Sequence, residues 1–576
     1  MEKLIWDVEK LLENKTHEQH LEEIEKLAIK IEGYKEIKLG AKELLEIIEY
    51  DNLLTDKLGI MFQYYFLKTS VNCDDSVSDS KIKELETYNT EIGIRLAFWC
   101  HWFKDISNEE AKEIMDNQIL KQYKYYLSEV RKYKKHTKSE EIEKLLSYSS
   151  GASENFSNIF NKLTTKFQYK WKGVEANEDE IRCFFYSDKG KIRKKAYKKI
   201  LNKYSDNSTV LNEIYQSIIK HNNNMTVKVR DYDSAIQNQN LSNEVSDVVV
   251  NSLFSTVQKN VNVFQDFFKL KHKINDKSYN YSRTHLYAPI KYKLEKNYTL
   301  DEVLNIVYEV FRNFDPEFET IAKNIIKDNN IHSPAQKNKQ GGAFCASVPN
   351  FNPFILMNFD DGLDSIYTLA HELGHAIHFV LMKDQPNALR NASLNLCECA
   401  STFCENLLFE YLYANSKNKK DKISLLSDSL DGHYATIQRQ TYFSIFENYV
   451  HENIDKGLKK EDIEDKYYSL LKEQFGDMKI PKMFKNEFYY IPHIYNSPFY
   501  CYSYSFGELL VLSLYEQFKK EGEPFKSKYK AILSKGSSES PEEIIKGAGL
   551  NLSDTNFWKL GYDVISGKVE KLKGLL

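Results

Sequence analysis

The sequence predicts a mostly α-helical protein with one small β-sheet near the middle of the chain. Three observations carry this. All 11 prolines lie at or after Pro289, and only 7 of the 22 glycines precede it, so the first half holds few helix breakers. Apolar residues in that half recur at three- and four-residue steps, as in Leu4, Val8, Leu11 and Leu12, which is the period of an amphipathic helix. After residue 280 the texture changes to short apolar runs between Pro, Gly and Asp clusters, the pattern of strands and turns.

Taken in order, the first 288 residues read as long helices with charged faces. Ser147 to Gly151 and Ser187 to Gly190 are the two expected helix breaks. The second divides an N-terminal helical domain, 1–187, from a second domain, 188–576, since 576 residues exceed one ordinary core. Ser282 to Ile290 reads as extended. Gln340 to Ser347 reads as a Gly-led loop entering a strand. Phe354 to Phe359 reads as a short strand bounded by Pro353 and by Asp360-Asp361-Gly362. Helices resume at about Asp364 and dominate to the end.

Composition removes several function classes. The 79 basic and 83 acidic side chains leave a net charge of −4, so neither nucleic acid nor an anionic membrane is implied as a partner. The basic run Arg131 to Lys138 is short and reads as a solvated helix face. The start, Met1 to Asp7, has no secretory pattern. The most apolar segment, Ser365 to Met382, carries three His and one Glu, so it reads as a buried helix rather than a membrane span. A cytoplasmic location is the default expectation. None of the eight cysteines forms a Cys-x-x-Cys pair, which favours reduced thiols over a disulfide framework.

The chemistry concentrates in His371-Glu372-Leu373-Gly374-His375. Residues four apart share a helix face, so both imidazoles can reach one zinc ion at about 2.0–2.1 Å. Glu372 stands beside them, placed to deprotonate a zinc-bound water. Leu369, Leu373, Ile377 and Val380 form an apolar stripe that supports the helix. His378 lies near the same face, but seven residues rise about 10.5 Å from His371, too far for one metal to touch both. A metzincin would need Gly at 378 and His at 381, where this chain has His378 and Leu381. The third ligand therefore comes from another element. Leu396 to Leu407 reads as a second helix on which Glu398, Ser401 and Glu405 share a face. Spacing alone leaves Glu398 equally a zinc ligand or a solvated helix residue. Glu405 could orient a ligand imidazole.

These residues carry a family resemblance. Thr368 to His378, Glu398 with Ser401 and Glu405, Gly341-Gly342-Ala343-Phe344, and the segment His493 to Gly507 with its Phe-Tyr-x-Tyr-x-Tyr pattern all fit it. Arg193 to Tyr197, Val229 to Ala235 and Leu286 to Ile290 also fit. The chain resembles the thimet-oligopeptidase-like metallopeptidases, most closely their bacterial oligoendopeptidase F branch, over roughly residues 190–565. The resemblance implies a two-lobed, zincin-type helical body with a small sheet beside the active site and a deep channel. It implies one Zn2+ held by His371, His375 and Glu398, with Glu405 behind a ligand imidazole, and hydrolysis of internal bonds in short unstructured peptides. Residues 188–576 become the catalytic domain. His493 and Tyr502 are the expected oxyanion donors, with Tyr500 and Tyr495 as second choices. Gly341, Gly342 and Ala343 are expected to meet the substrate backbone, and Tyr495 also counts among the substrate contacts. The sequence leaves oligomeric state and cleavage preference open.

Two departures stand out. His285 occupies a position where an acidic residue is expected, and Cys397 and Cys399 flank Glu398. The cysteines lie about 100° around the helix from Glu398 and are expected to be inert. Two rival readings predict different residues. A thermolysin-like aminopeptidase would have Asp four residues after the ligand Glu, where this chain has Thr402. A non-catalytic peptide-binding scaffold would have lost a ligand or the base, and all four residues are present.

Overall fold

The computed structural model describes residues 4–276, 279–292, 296–393 and 395–576, with the backbone alone at 140 and 147–153. Helices dominate. The strands among the described residues are β1 (Tyr169–Trp171), β2 (Val174–Ala176), β3 (Ile331–Pro334), β4 (Phe344–Ala346) and β5 (Phe354–Phe359). The chain is mostly α with a small three-stranded sheet near its middle, as expected, while β1 and β2 pair as a separate two-stranded sheet that was not expected. No described helix is long and apolar enough to cross a membrane.

The chain forms two compact units, each assembled from three separated stretches. The first contains Met1–Lys134, Glu295–Ala414 and Phe518–Leu550; the second contains Lys135–Leu294, Asn415–Gln517 and Asn551–Leu576. This grouping follows packing. At the expected break, Ser187 to Lys189 separates a 3-10 turn from the helix Gly190–Asp206.

In the first unit, Leu44 and Ile47 of the helix Ala41–Val71 share one apolar cluster with Phe103, Phe354 and Leu356. Helix starts are written in the sequence. Thr299 and Glu302 form a capping box before Leu300–Phe314. Asp315 then accepts from the Glu317 amide, with Pro316 at the first helical position of Pro316–Lys327. The sheet that follows has the order β3–β5–β4, with β3 parallel and β4 antiparallel to β5. The central β5 is buried from Phe354 to Met357, hence its unbroken apolar run. The β3–β5 register shifts between His332 and Pro334. β4 lies at the sheet edge.

The second unit packs around Trp558, Tyr562, Phe264, Phe268 and Tyr434, all buried. Within it, Arg283 is buried with its guanidinium 2.9 Å from Glu487 and lies over the rings of Phe475 and Phe484. Arg193 donates from Nε to Nδ1 of His285 at 3.3 Å. Burial and the Arg193 charge hold the pKa of His285 down at about 4, so a neutral imidazole accepts here where a carboxylate was expected.

Three local expectations are corrected. The helix Glu140–Thr164 runs unbroken through Ser147 to Gly151. Ser282 to Ile290 is not extended: it holds the 3-10 turn Arg283–His285 and a following turn. The second ligand helix begins at Cys399, so Glu398 sits in the turn before it.

Candidate metal centre

The helix Leu363–Leu381 carries the first two candidate ligands. Ile366, Leu369, Leu373 and Ile377 are fully buried, which fixes its inner face and turns His371 and His375 together toward a cavity. Gly374, between them, lets a second backbone approach. A Cβ at this position would stand 2.6 Å from the Ser401 Cα and 2.8 Å from the Ala400 carbonyl oxygen. Ser401 belongs to the helix Cys399–Asn415, so this bare crossing brings Glu398 beside the histidines. That helix is held from its other side by the helix Glu523–Ser534, where the Tyr529 hydroxyl donates to the Cys399 carbonyl at 2.7 Å and the ring stacks on Phe403.

The three ligand atoms converge. His371 Nε2 and His375 Nε2 are 3.1 Å apart, and the Glu398 carboxylate oxygen lies 3.5 and 3.4 Å from them. Tetrahedral ligands at zinc-like bond lengths stand about 3.3 Å apart, so this triangle fits one metal ion. It is the one metal-ligating group of this kind found among the described residues.

The surroundings set the protonation states. His371 Nδ1 donates to Glu405 at 2.5 Å, which turns Nε2 toward the other two ligand atoms. Burial works against the His371 cation, but the Glu405 hydrogen bond and the charges of Glu405, Glu398 and Glu372 outweigh it and raise its pKa to about 9. Burial lowers that of His375. The Ser401 hydroxyl donates to Glu398 at 2.6 Å and fixes the carboxylate. Glu372 is 6% exposed. Burial, opposed by His371 and aided by Glu398 and Glu405, raises its pKa to about 7, a value suited to taking and returning a proton near neutrality.

All of these groups except Glu405 and Ser401 line a cavity of about 480 Å³, along with Ala343, Phe344, Cys345, Phe379 and Cys397. His378 also borders it, 4% exposed. Cys397 does not point elsewhere as expected: it borders the cavity with Sγ 4.0 Å from Glu398. Cys399 is buried. Burial and the neighbouring carboxylate push the Cys397 thiol up to about 12, and burial with Glu372 pushes up Cys345. Both stay protonated and poorly nucleophilic.

Gly341 and Gly342 lie in the loop that enters β4. Gly342 has φ +78°, which favours glycine. Gly341 has no such need, and a Cβ there would meet nothing within 4 Å.

The aromatic candidates belong to the second unit. His493, in the short helix His493–Asn496, and Tyr500 are partly exposed. Their rings and that of Tyr504 form a cluster with centroids 5.3–6.4 Å apart. Tyr504 is 40% exposed and was not singled out in the sequence. Tyr502 is fully buried, its hydroxyl accepting from Asn243 at 2.7 Å. Tyr495 is also buried and stacks on Phe160. Phe499, just before Tyr500, has φ +61°, and its amide donates to buried Glu447 at 2.9 Å.

Comparison with known proteins shows what the chain is similar to. The family model described as peptidase family M3 matches residues 183–563, and the one described as oligopeptidase F matches residues 102–167. The chain is 27% identical over 552 residues to oligopeptidase PepF of Bacillus subtilis, covering 93% of this chain and 82% of that protein. A solved structure of a protein assigned as a peptidase in Chlamydophila abortus superposes with TM-score 0.91 at 22% identity, covering 99% of this chain and 98% of that one. Oligoendopeptidase F from Enterococcus faecium gives 0.69 at 20% identity, covering 97% and 98%. At such identities the two structures establish the fold.

Proposed function

The chain belongs to peptidase family M3 and is a metallo-oligopeptidase; from that premise we propose that it is a zinc endopeptidase cutting internal bonds of short unstructured peptides. The observation that carries the reading is the triangle of His371, His375 and Glu398 with Glu372 beside it in one cavity. A zinc ion held there would supply Lewis-acid chemistry, polarising the scissile carbonyl and acidifying water. Glu372 takes a proton from the attacking water and delivers it to the leaving amine. Glu405 keeps the His371 proton on Nδ1, and Ser401 holds the Glu398 carboxylate in register.

Residues 188–576 are proposed as the catalytic domain and 1–187 as an N-terminal helical domain, a division supported by where the two family matches fall. The oxyanion-donor role is assigned to His493 and Tyr500, on the resemblance of their segment and on their exposure. Buried Tyr502 and Tyr495 are proposed to support that segment. Gly341, Gly342 and Ala343 are proposed to pair with the substrate main chain alongside β4, an edge strand of the three-stranded sheet.

The test is hydrolysis of short peptides read by mass spectrometry. Internal cuts that stop with chelator, return with zinc and vanish in Glu372→Gln support the proposal. Removal of single terminal residues, or full activity in Glu372→Gln, would refute it.

A further inference from the structure

We propose that Lys339 and Asn358 are positioning residues that clamp the Gly341–Gly342 turn, making it a rigid ledge for an extended peptide main chain at the rim of the metal cavity. The inference rests on the peptidase reading and deepens it.

The β3–β5 ladder slips in register between His332 and Pro334. Such an irregularity leaves ladder carbonyls without amide partners. Lys339 supplies donors instead. Its Nζ donates to the carbonyls of His332 at 3.1 Å, Pro334 at 2.8 Å and Met357 at 2.6 Å. An ammonium has three protons, and here each has a carbonyl. Lys339 is therefore spent on structure and is no candidate electrophile. Burial lowers its pKa to about 8. Its bonds tie β3 to β5 at the point where the chain leaves for the Gly-Gly turn.

Asn358, near the end of β5, holds the turn itself. Its Nδ2 donates to the Gln340 and Gly342 carbonyls, both at 2.9 Å. The Gln340 amide donates in turn to the Ser70 carbonyl at 2.9 Å. Gly341 lies between the two clamped carbonyls. Neither its φ nor its own surroundings require glycine there. The open face beside it is room for a visiting backbone. Ala343, the next residue after Gly342, borders the metal cavity. The clamp thus fixes a bare stretch of main chain next to the reacting centre, where an extended peptide finds partners without the turn having to be ordered first.

The test uses the zinc-loaded full-length protein and an internally quenched peptide. Asn358→Asp keeps the shape but removes both N–H donors; Lys339→Met removes the ammonium. For each, KM is expected to rise about tenfold or more while kcat stays within about twofold, because ground-state binding is what is lost. One zinc per chain should be retained. Gly341→Ala should raise KM alike, and its effect should not add to that of Asn358→Asp. If Lys339→Met fails to fold, Asn358→Asp decides. An unchanged KM in Asn358→Asp, or a fall in kcat with loss of zinc, would overturn the assignment. Peptide affinity measured on the Glu372→Gln background is a second readout and does not depend on cleavage. Wild-type protein that binds the peptide without cutting it would overturn the reaction reading, and this affinity comparison would still decide the clamp.

Discussion

Replacing Gly374 with Ala tests how the metal triangle is assembled. In an isolated helix this change is favourable by about 1 kcal/mol, because Ala is the better helix former. Packing reverses the sign. The new Cβ would meet backbone atoms of the Cys399–Asn415 helix at 2.6–2.9 Å, where ordinary contact begins at 3.4 Å. The two helices must part by about 0.8 Å, and overpacking of this kind costs about 1–3 kcal/mol. The obstruction is main chain, so no side-chain trimming on the partner helix relieves it. The larger consequence falls on the metal. Glu398 is carried by the displaced backbone, while His371 and His375 stay behind, and ligand distances tolerate only about 0.2 Å. Zinc affinity should fall about 10–100-fold, the scale expected when the positioning of metal ligands is disturbed. Competition against a chromogenic chelator measures it, with the thermal midpoint of the metal-free protein recorded separately. A Gly374→Ala protein that holds zinc within about threefold of wild type would refute the reasoning.

Two further predictions follow from the same geometry. Glu405→Gln removes the anion that holds the His371 proton on Nδ1, so zinc affinity should fall about 10–100-fold with little change in fold; unchanged affinity by the same chelator competition counts against that role. Burial raises the pKa of Glu447 to about 8, so the folded protein holds this proton more tightly than the unfolded chain. Its contribution to stability is complete below about pH 4.5 and is lost as pH rises toward 8, by an amount on the order of 5 kcal/mol. Glu447→Gln keeps an acceptor for the Phe499 amide without the charge, so its thermal midpoint should exceed that of wild type at pH 8.5; parallel midpoint-against-pH curves would sink the prediction.

The legible parts of the sequence were those set by local chemistry. Phe354 to Phe359 is a strand with the expected bounds, because aromatic and branched residues stand between a proline and an Asp-Asp-Gly turn. The metal helix, the loop before β4 and the break at Ser187 were readable for similar reasons. Elsewhere tertiary packing won. Gly151 costs a helix only about 1 kcal/mol, and Glu140–Thr164 continues through it. Arg283 is drawn into a buried pair with Glu487, which bends a stretch whose local texture reads as extended. The aromatic segment is instructive. The helix Tyr502–Glu521 begins within the segment. Tyr502, at its first position, is turned inward and buried, while Tyr500 stands in the turn before the helix with its ring 5.3 Å from that of Tyr504. The crossing at Gly374 was not legible, since nothing local to the motif names the backbone that needs the missing side chain.

The interleaving of the chain has a consequence for how the protein is made. The helix that seats Glu398 is pinned by Tyr529, 130 residues further along. At about 5–20 residues per second, a ribosome needs roughly 7–26 s to travel that distance. During this interval both histidines and the glutamate have been synthesised, but the support for their crossing has not. The contact that pins the crossing can form only after Tyr529 has been made. A chain stopped between Asn415 and Tyr529 keeps all three candidate ligands but lacks the Tyr529 hydrogen bond and ring contact, and should hold zinc more weakly by chelator competition.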